Sequence, residues 1–266
     1  WTALATLALV LLVRLVDPAF VEKVRLTYFD QLITSQQAKD VPVYTVNIDE
    51  ATIDRYGQFP FPRSVYANII DELYSRGAGL VVFNVLMPEA DRFKRDQVLA
   101  NLMQQVPVVL PSALGDKTKN TPRNPGAAVI NSEFMYTIPQ ADGIIANIPE
   151  LENAAIGVGI VGTFQEVDGV NRRLPTVVAV GDTLYPSMAL EVLRVIAGDP
   201  SFQIKLQSNG IEKMRIPTFG MISTESDGRV WIDWSQKNKQ PSYLRLPPDP
   251  AFNWRQKERI SNHEME

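Results

Sequence analysis

Three short apolar runs separated by helical patterns lie between Val43 and Leu110. Val43, Val46 and Ile48 suit a strand, with Pro42 at its start where no ladder hydrogen bond is lost. Leu80 to Leu86 is almost continuously apolar, as expected of a strand covered on both faces, and Val106 to Leu110 is a third such run. Between the first two, Val65, Ile69, Ile70 and Leu73 share one helical face; Ser64 is placed to cap that helix and Gly77 to end it. Arg95 to Gln105 supplies a second crossover helix. The alternation predicts β-α-β units and a parallel sheet, with right-handed crossovers.

The rest of the chain reads in the same terms. Ser35 to Asp40 is a polar linker, and Gly115 to Gly126 is a surface loop. Ile156 to Phe164 carries Gly157, Gly159 and Gly162 among apolar residues, which predicts a glycine-kinked strand rather than a phosphate loop. Asp168-Gly169 and Gly181-Asp182 mark turns around a strand at Val177 to Val180. Ser187 is placed to cap a helix buried through Leu190, Leu193 and Ile196 and stopped by Gly198. Asp227-Gly228 between Met221–Thr224 and Val230–Trp234 predicts a β-hairpin. The fold class is therefore α/β: a mixed, largely parallel sheet with crossover helices and a C-terminal β-hairpin.

The amino-terminal pattern is different. Leu4 to Val13 is unbroken in its apolar character apart from Thr6, and Arg14 is the only charge in the first sixteen residues. A membrane span takes about 20 apolar residues. Residues 1–16 fall short of that, and the expectation is the end of a transmembrane anchor rather than a signal peptide, because Asp17-Pro18-Ala19-Phe20 is a poor cleavage site. Val21, Val24, Tyr28 and Leu32, with Phe29 beside them, continue as an amphipathic helix leading from that anchor. The expected division is 1–16 anchor, 17–40 juxtamembrane helix and linker, 41–235 main domain, and 236–266 a polar, proline-rich tail.

Composition narrows the chemistry. Lys plus Arg total 26 against 30 Asp plus Glu, a net charge of −4, with no long basic cluster to suit nucleic acid. There is no cysteine, and the one histidine is His263. Disulfides, thiol catalysis, serine–histidine triads and zinc sites lack material. The expectation is a chain that is not an enzyme and has no cofactor.

An open α/β sheet binds ligands at the carboxyl ends of its strands, where neighbouring loops diverge. The residues that reach this edge are Asp49 and Glu50 after the first strand, and Glu89 and Asp91 after the second. Arg63 joins them from the stiff loop Gly57-Gln58-Phe59-Pro60-Phe61-Pro62. Either a pocket or a salt-bridge network closing the sheet end fits this set. The four acids also offer oxygen ligands to calcium or magnesium, which Arg63 opposes. The stiff loop is either a hydrophobic plug or a lid. Arg172 and Arg173 precede a strand near Leu174 and point to opposite faces. Arg172 shares the face of apolar Leu174, so it is expected inward, paired with a carboxylate from another segment; Arg173 is expected in solvent.

Taken in order, Asn47-Ile48-Asp49-Glu50, Gly57 through Pro60-Phe61-Pro62-Arg63, Arg76-Gly77-Ala78, Val82 to Leu86, Glu89, Asp168-Gly169 with Arg172-Arg173 and Pro175, and Tyr185-Pro186-Ser187 with Ala189-Leu190-Glu191 resemble the CHASE type-two domain, a bacterial extracellular sensory domain associated with cyclases and histidine kinases. The resemblance covers roughly Asp30 to Trp234. Tryptophans are usual in the family where Phe59 and Phe61 stand, and aspartate where Asn84 stands. The resemblance implies an input module on the periplasmic side of the inner membrane, relaying an unknown signal through the anchor helix. The competing reading is a structural or partner-binding module of an envelope assembly. The implied partners are the membrane, a small-molecule or protein signal, and a second copy or envelope protein.

Overall fold

The computed structural model describes residues 1–16, 18–33, 43–123, 126–166, 168–232 and 243–245. The expected linker 35–40 and almost all of the expected tail 236–266 lie outside them. In chain order the elements are α1 (Thr2–Val16), α2 (Ala19–Ile33), β1 (Thr45–Asn47), α3 (Glu50–Tyr56), α4 (Arg63–Ser75), β2 (Val81–Val82), α5 (Asp96–Met103) and β3 (Val108–Gly115). Then come β4 (Ala127–Ile130), a 3₁₀ turn at Ser132–Thr137, β5 (Gln140–Ala141), β6 (Gly143–Ile145), α6 (Pro149–Ala154) and β7 (Gly157–Val161). The chain continues through β8 (Arg173–Pro175), β9 (Val177–Val180), β10 (Thr183–Pro186), α7 (Met188–Ile196), β11 (Phe202–Gln207), β12 (Gly210–Ile216), β13 (Gly220–Ile222), β14 (Arg229–Trp231) and β15 (Tyr243–Arg245). The fold is mixed α/β, as the pattern predicts.

The chain divides into two compact units. The smaller gathers Trp1–Thr45, Thr163–Leu174 and Trp231–Leu244; the larger holds Val46–Gly162, Pro175–Val230 and Arg245–Glu266.

The larger unit is built around β3. Val108 and Val109 pair in parallel with Val81 and Val82, Val109 to Ala113 in parallel with Gly157 to Val161, and Ala113 to Gly115 antiparallel with Gly143 to Ile145. The second apolar run is regular strand for two residues only, and Phe83 adds one further bond, its N–H donating to the Val109 carbonyl at 2.9 Å. The first predicted strand does not join this sheet at all, so the expected three-strand parallel core is corrected to β2, β3, β6 and β7. Its three residues are too few to carry an apolar face, and none of the three is buried.

Helix α4 forms where its apolar face predicts. It buries Tyr66, Ala67, Ile69 and Ile70, and it starts at Arg63, ahead of the expected Ser64 cap. It stops as a Schellman motif: Gly77 takes φ 95°, its N–H donates to Tyr74, and the Ala78 N–H reaches Leu73 at 3.1 Å. Phe61, Tyr66, Ile70, Met87, Leu99, Leu110 and Leu151 form one core between α4, α5, α6 and the sheet. A second core joins Val177, Leu184, Leu190, Phe202, Ile204, Leu206 and Met214. It packs the β9–β10 hairpin and α7 against a sheet ordered β13-β12-β11-β4, in which β4 runs parallel to β11. Ser187 caps α7 as expected, its Oγ accepting from the Leu190 N–H at 3.3 Å; of the expected buried face Leu190 is buried and Leu193 packs against the core, but Ile196, in the helix's last turn, is exposed.

Strand β7 is the predicted glycine strand, and the reason for its glycines is close approach. A Cβ on Gly159 would stand 2.4 Å from Cα of Met188, and one on Gly157 would stand 2.4 Å from the Glu191 carboxylate. Helix α7 therefore lies almost on the strand's backbone. The expected hairpin at Asp227-Gly228 is a tight turn only: Glu225 donates to Arg229 at 2.8 Å, but β13 pairs with β12 rather than with β14.

In the smaller unit, α1 exposes Leu4, Leu7, Leu11 and Leu15, and α2 corrects the expected stripe: Val21, Val24, Tyr28 and Leu32 are exposed and Leu26 is the buried residue. Its 15 residues span about 22 Å at 1.5 Å each. No helix among the described residues is long and apolar enough to cross a membrane.

Candidate functional site

Three polar assemblies stand out, two in the larger unit and one in the smaller. The first surrounds Arg63, whose position at the start of α4 places its side chain beside the loop that leaves β2. Arg63 is only 6% exposed. Its Nη2 donates to the Glu89 carbonyl at 2.8 Å and its Nε to Asp96 at 3.2 Å, while its backbone N–H meets Asp91 at 3.4 Å. Asp91 also accepts from the Arg95 N–H, and its own N–H donates to Asp96. Glu89 turns outward to Lys119 at 2.9 Å, and that bond holds its carboxyl below the usual carboxylate range. Asp49 is occupied with a capping box on α3, accepting from the N–H and hydroxyl of Thr52 at 3.0 and 2.8 Å. Glu50 is exposed in the first turn of the same helix.

Of the residues expected at this edge, Arg63, Glu89 and Asp91 therefore meet, joined by Asp96 and Lys119. Two ion pairs, Arg63–Asp96 and the exposed Lys119–Glu89, are joined through backbone bonds to Asp91 and the Glu89 carbonyl, so that these groups are turned on one another. Among the described residues no cluster of three or more acids and histidines could hold a metal ion. The neighbouring loop has a divided role. Phe61 is buried at 1%, where its N–H donates to the Tyr66 hydroxyl at 3.0 Å and its ring packs 5.8 Å from that of Tyr66. Phe59 is 45% exposed. Phe61 is the plug and Phe59 faces solvent.

The second assembly lies beside the amino-terminal end of β7, where α7 presses on the strand. Glu191 is 3% exposed. Its carboxylate takes two bonds from the Arg194 guanidinium at 2.7 and 2.8 Å and one from the Val158 N–H at 3.2 Å. Arg194 gives a further bond to the Asp199 carbonyl, and its pairing with Glu191 raises its pKa. The Arg123 backbone N–H donates to Glu152 at 3.1 Å, and its guanidinium to the Ala155 carbonyl. Glu152 is itself buried against Asn147, whose Nδ2 donates to it at 3.0 Å. Between the two arginines is a cavity of about 280 Å³, lined by Arg123, Arg194, Glu191, Ile156, Val158 and Pro200 together with Gly126. Gly126 holds φ +67°, and a Cβ there would stand 2.9 Å from the Pro200 carbonyl.

The third assembly is in the smaller unit. Arg172, inward as expected and 2% exposed, bonds two carboxylates at once. Its Nε and Nη2 meet Asp30 of α2 at 2.6 and 2.8 Å, and its Nη1 and Nη2 meet Asp168 at 2.9 and 2.8 Å. These bonds raise the Arg172 pKa and hold Asp168 down at about 2. Arg173 corrects the expectation of a solvent-facing side chain. It bonds Glu166 twice at 2.6 Å and lies 5.1 Å above the Trp231 ring, which also packs 4.2 Å from Phe29 of α2. The strand begins only at Arg173, so strand alternation does not govern the pair; the two guanidiniums share no carboxylate, and Arg173 is covered by Trp231.

The sequence reading missed Arg123, Glu152, Asn147 and Arg194, and it met Glu191 only as part of a motif, without a role. Glu191 carried a readable signal, an acid one helical turn before Arg194 with glycines elsewhere in an apolar strand. Arg123 and Arg194 are brought together only by the fold.

The family model for the CHASE2 domain matches residues 5–259 of the chain. No curated protein and no solved structure matches it.

Proposed function

The chain belongs to the CHASE2 domain family, a family of extracellular sensory domains, and from that premise we propose that it is the input domain of a bacterial membrane-anchored signal-transduction protein. In this reading it sits on the periplasmic side of the inner membrane. Helices α1 and α2 lead to the membrane, and the signal is received in the cavity between Arg123 and Arg194.

The observation that carries the relay is Arg172. One buried guanidinium holds Asp30 on α2 and Asp168 on the loop before β8. Such a two-sided pair couples the two segments, because moving either carboxylate alone costs the guanidinium half of its charge-assisted bonds. The contact of Phe29 with Trp231 adds a second, apolar tie on the same helix. The absence of cysteine and the single terminal histidine support a binding role over a catalytic one.

The test uses the intact membrane protein. Asp30→Asn removes the helix side of the clamp at a residue whose side chain is 42% exposed, so the domain keeps its fold. The expected result is an output that no longer responds to stimulus. A response equal to that of the unaltered protein would overturn the relay and favour the envelope-assembly reading.

A further inference from the structure

We propose that the cavity beside β7 binds a small organic monocarboxylate, its carboxylate at Arg123 and its apolar body against Ile156, Val158 and Pro200; this deepens the sensory reading above and rests on it.

The charge state of the two arginines selects a single negative charge. Arg194 is already neutralised, since Glu191 accepts two bonds from it. It is also fixed in place by its bond to the Asp199 carbonyl. The Arg123 side chain bonds a carbonyl, that of Ala155, and among the described residues it has no carboxylate partner. Among the described residues that guanidinium is thus in no ion pair, although the Glu152 carboxylate lies against its backbone N–H, and N–H donors remain on it of the five it carries. A planar fork of donors matches a carboxylate in two bonds, which a lysine could not do.

The walls select the remainder of the molecule. Ile156 is 43% exposed, an unusual exposure for isoleucine beside a strand, and Val158 and Pro200 continue the apolar side. A water takes about 30 Å³ of liquid volume, so a cavity of about 280 Å³ takes in a compact acid whole. Glu191 also disfavours multiply charged anions, because its carboxylate lines the same space. Phosphate would leave the apolar wall uncovered.

Isothermal titration of the purified chain at low ionic strength tests this, with propionate, isobutyrate and benzoate as probes. Isobutyramide serves as the uncharged isostere and inorganic phosphate as the small anion. At least one of the three carboxylates should bind saturably at one site, at least tenfold more tightly than isobutyramide or phosphate. Arg123→Gln, at an exposed position, should weaken that binding at least tenfold. Ile156→Trp, which fills the cavity without touching a charge, should do the same. Lack of saturable binding by all three acids, tighter binding of phosphate, or wild-type affinity in both variants would overturn the proposal. Carboxylate binding without any change in the output of the intact protein would leave this site standing and sink the sensory reading. An output that responds to another stimulus, with no carboxylate bound, would do the reverse.

Discussion

The Arg172 guanidinium meets the Asp30 carboxylate edge to edge, Nε to Oδ1 at 2.6 Å and Nη2 to Oδ2 at 2.8 Å, while its other edge does the same for Asp168. Two planar, charge-assisted pairs on one side chain fix the orientation of α2 as well as its position. Arg172→Ala leaves two carboxylates facing each other without a cation. Breaking a buried pair costs about 3–5 kcal/mol, and because Asp30 can be rehydrated the lower end, about 3 kcal/mol, is expected. Arg173→Ala also destabilises, through Glu166, whose side chain is 5% exposed, and through the lost stack on Trp231. Urea denaturation of the two variants checks both; wild-type stability in Arg173→Ala would mean that the Trp231 contact contributes nothing.

The same clamp sets an acid limit. The Asp168 carboxyl lies at about 2 against an ordinary 3.8, because it accepts bonds from Arg172 in the folded protein. A carboxyl depressed on folding contributes stability that is complete above its ordinary value and is lost as pH falls through the folded one. The window is therefore from about pH 4 down to about pH 2. The stability difference between the protein and Asp168→Asn should be constant above about pH 5 and shrink across that window. Melting curves at half-unit pH steps read it directly, and a difference that grows on acidification would contradict the assignment.

What the pattern of the chain disclosed follows from how local each element is. Helix α4 with its Gly77 stop, α7 with its Ser187 cap, and the turn at Gly181 are each specified within about fifteen residues, and all three are present. Strand β11 was equally legible and was passed over: Phe202, Ile204 and Leu206 are buried and alternate with Gln203, Lys205 and Gln207. Its parallel pairing with β4 could not be read, because the partners stand far apart in the chain. The strand-end rule names Arg63, Glu89 and Asp91, which meet, and also Asp49 and Glu50, which do not join them; it is silent on whether such groups line a crevice or saturate each other. The cavity lies elsewhere because α7 presses on β7, a contact that depends on the absence of a Cβ at Gly157 and Gly159.

That contact gives a prediction of its own. Gly159→Ala places a Cβ 2.4 Å from Met188 Cα and 2.7 Å from its nitrogen, backbone atoms at the start of α7 that cannot turn aside. Overpacking of this kind costs about 1–3 kcal/mol, and here the upper part of the range is expected. Gly169→Ala is the control: there is open space around it, although its φ of +81° makes any side chain mildly strained. Chemical denaturation should separate the two variants by more than 1 kcal/mol, on the order of the overpacking term. Equal effects would mean that helix and strand can move apart freely.

The most deeply buried polar group tests the larger unit's core. Asn147 is fully buried, and its Oδ1 accepts from the Met87 N–H at 2.9 Å. Its Nδ2 donates to the Pro111 carbonyl at 2.9 Å and to Glu152 at 3.0 Å. One amide therefore ties the loop after β2 to β3 and α6, and it offers a donor to a buried carboxylate. Asn147→Leu keeps the volume but removes all three bonds. Each buried group left without a partner costs about 1–3 kcal/mol, more for a charged one, so a loss of about 3 kcal/mol or more is expected. Glu152→Gln retains the shape but turns one amide edge toward the Arg123 N–H or toward Asn147, both donors, and should cost less, about 1–2 kcal/mol. Hydrogen exchange at the Met87 amide separates the two: it should lose protection in Asn147→Leu and keep it in Glu152→Gln. Retained protection in both would show that Asn147 fills space and does not hold the loop.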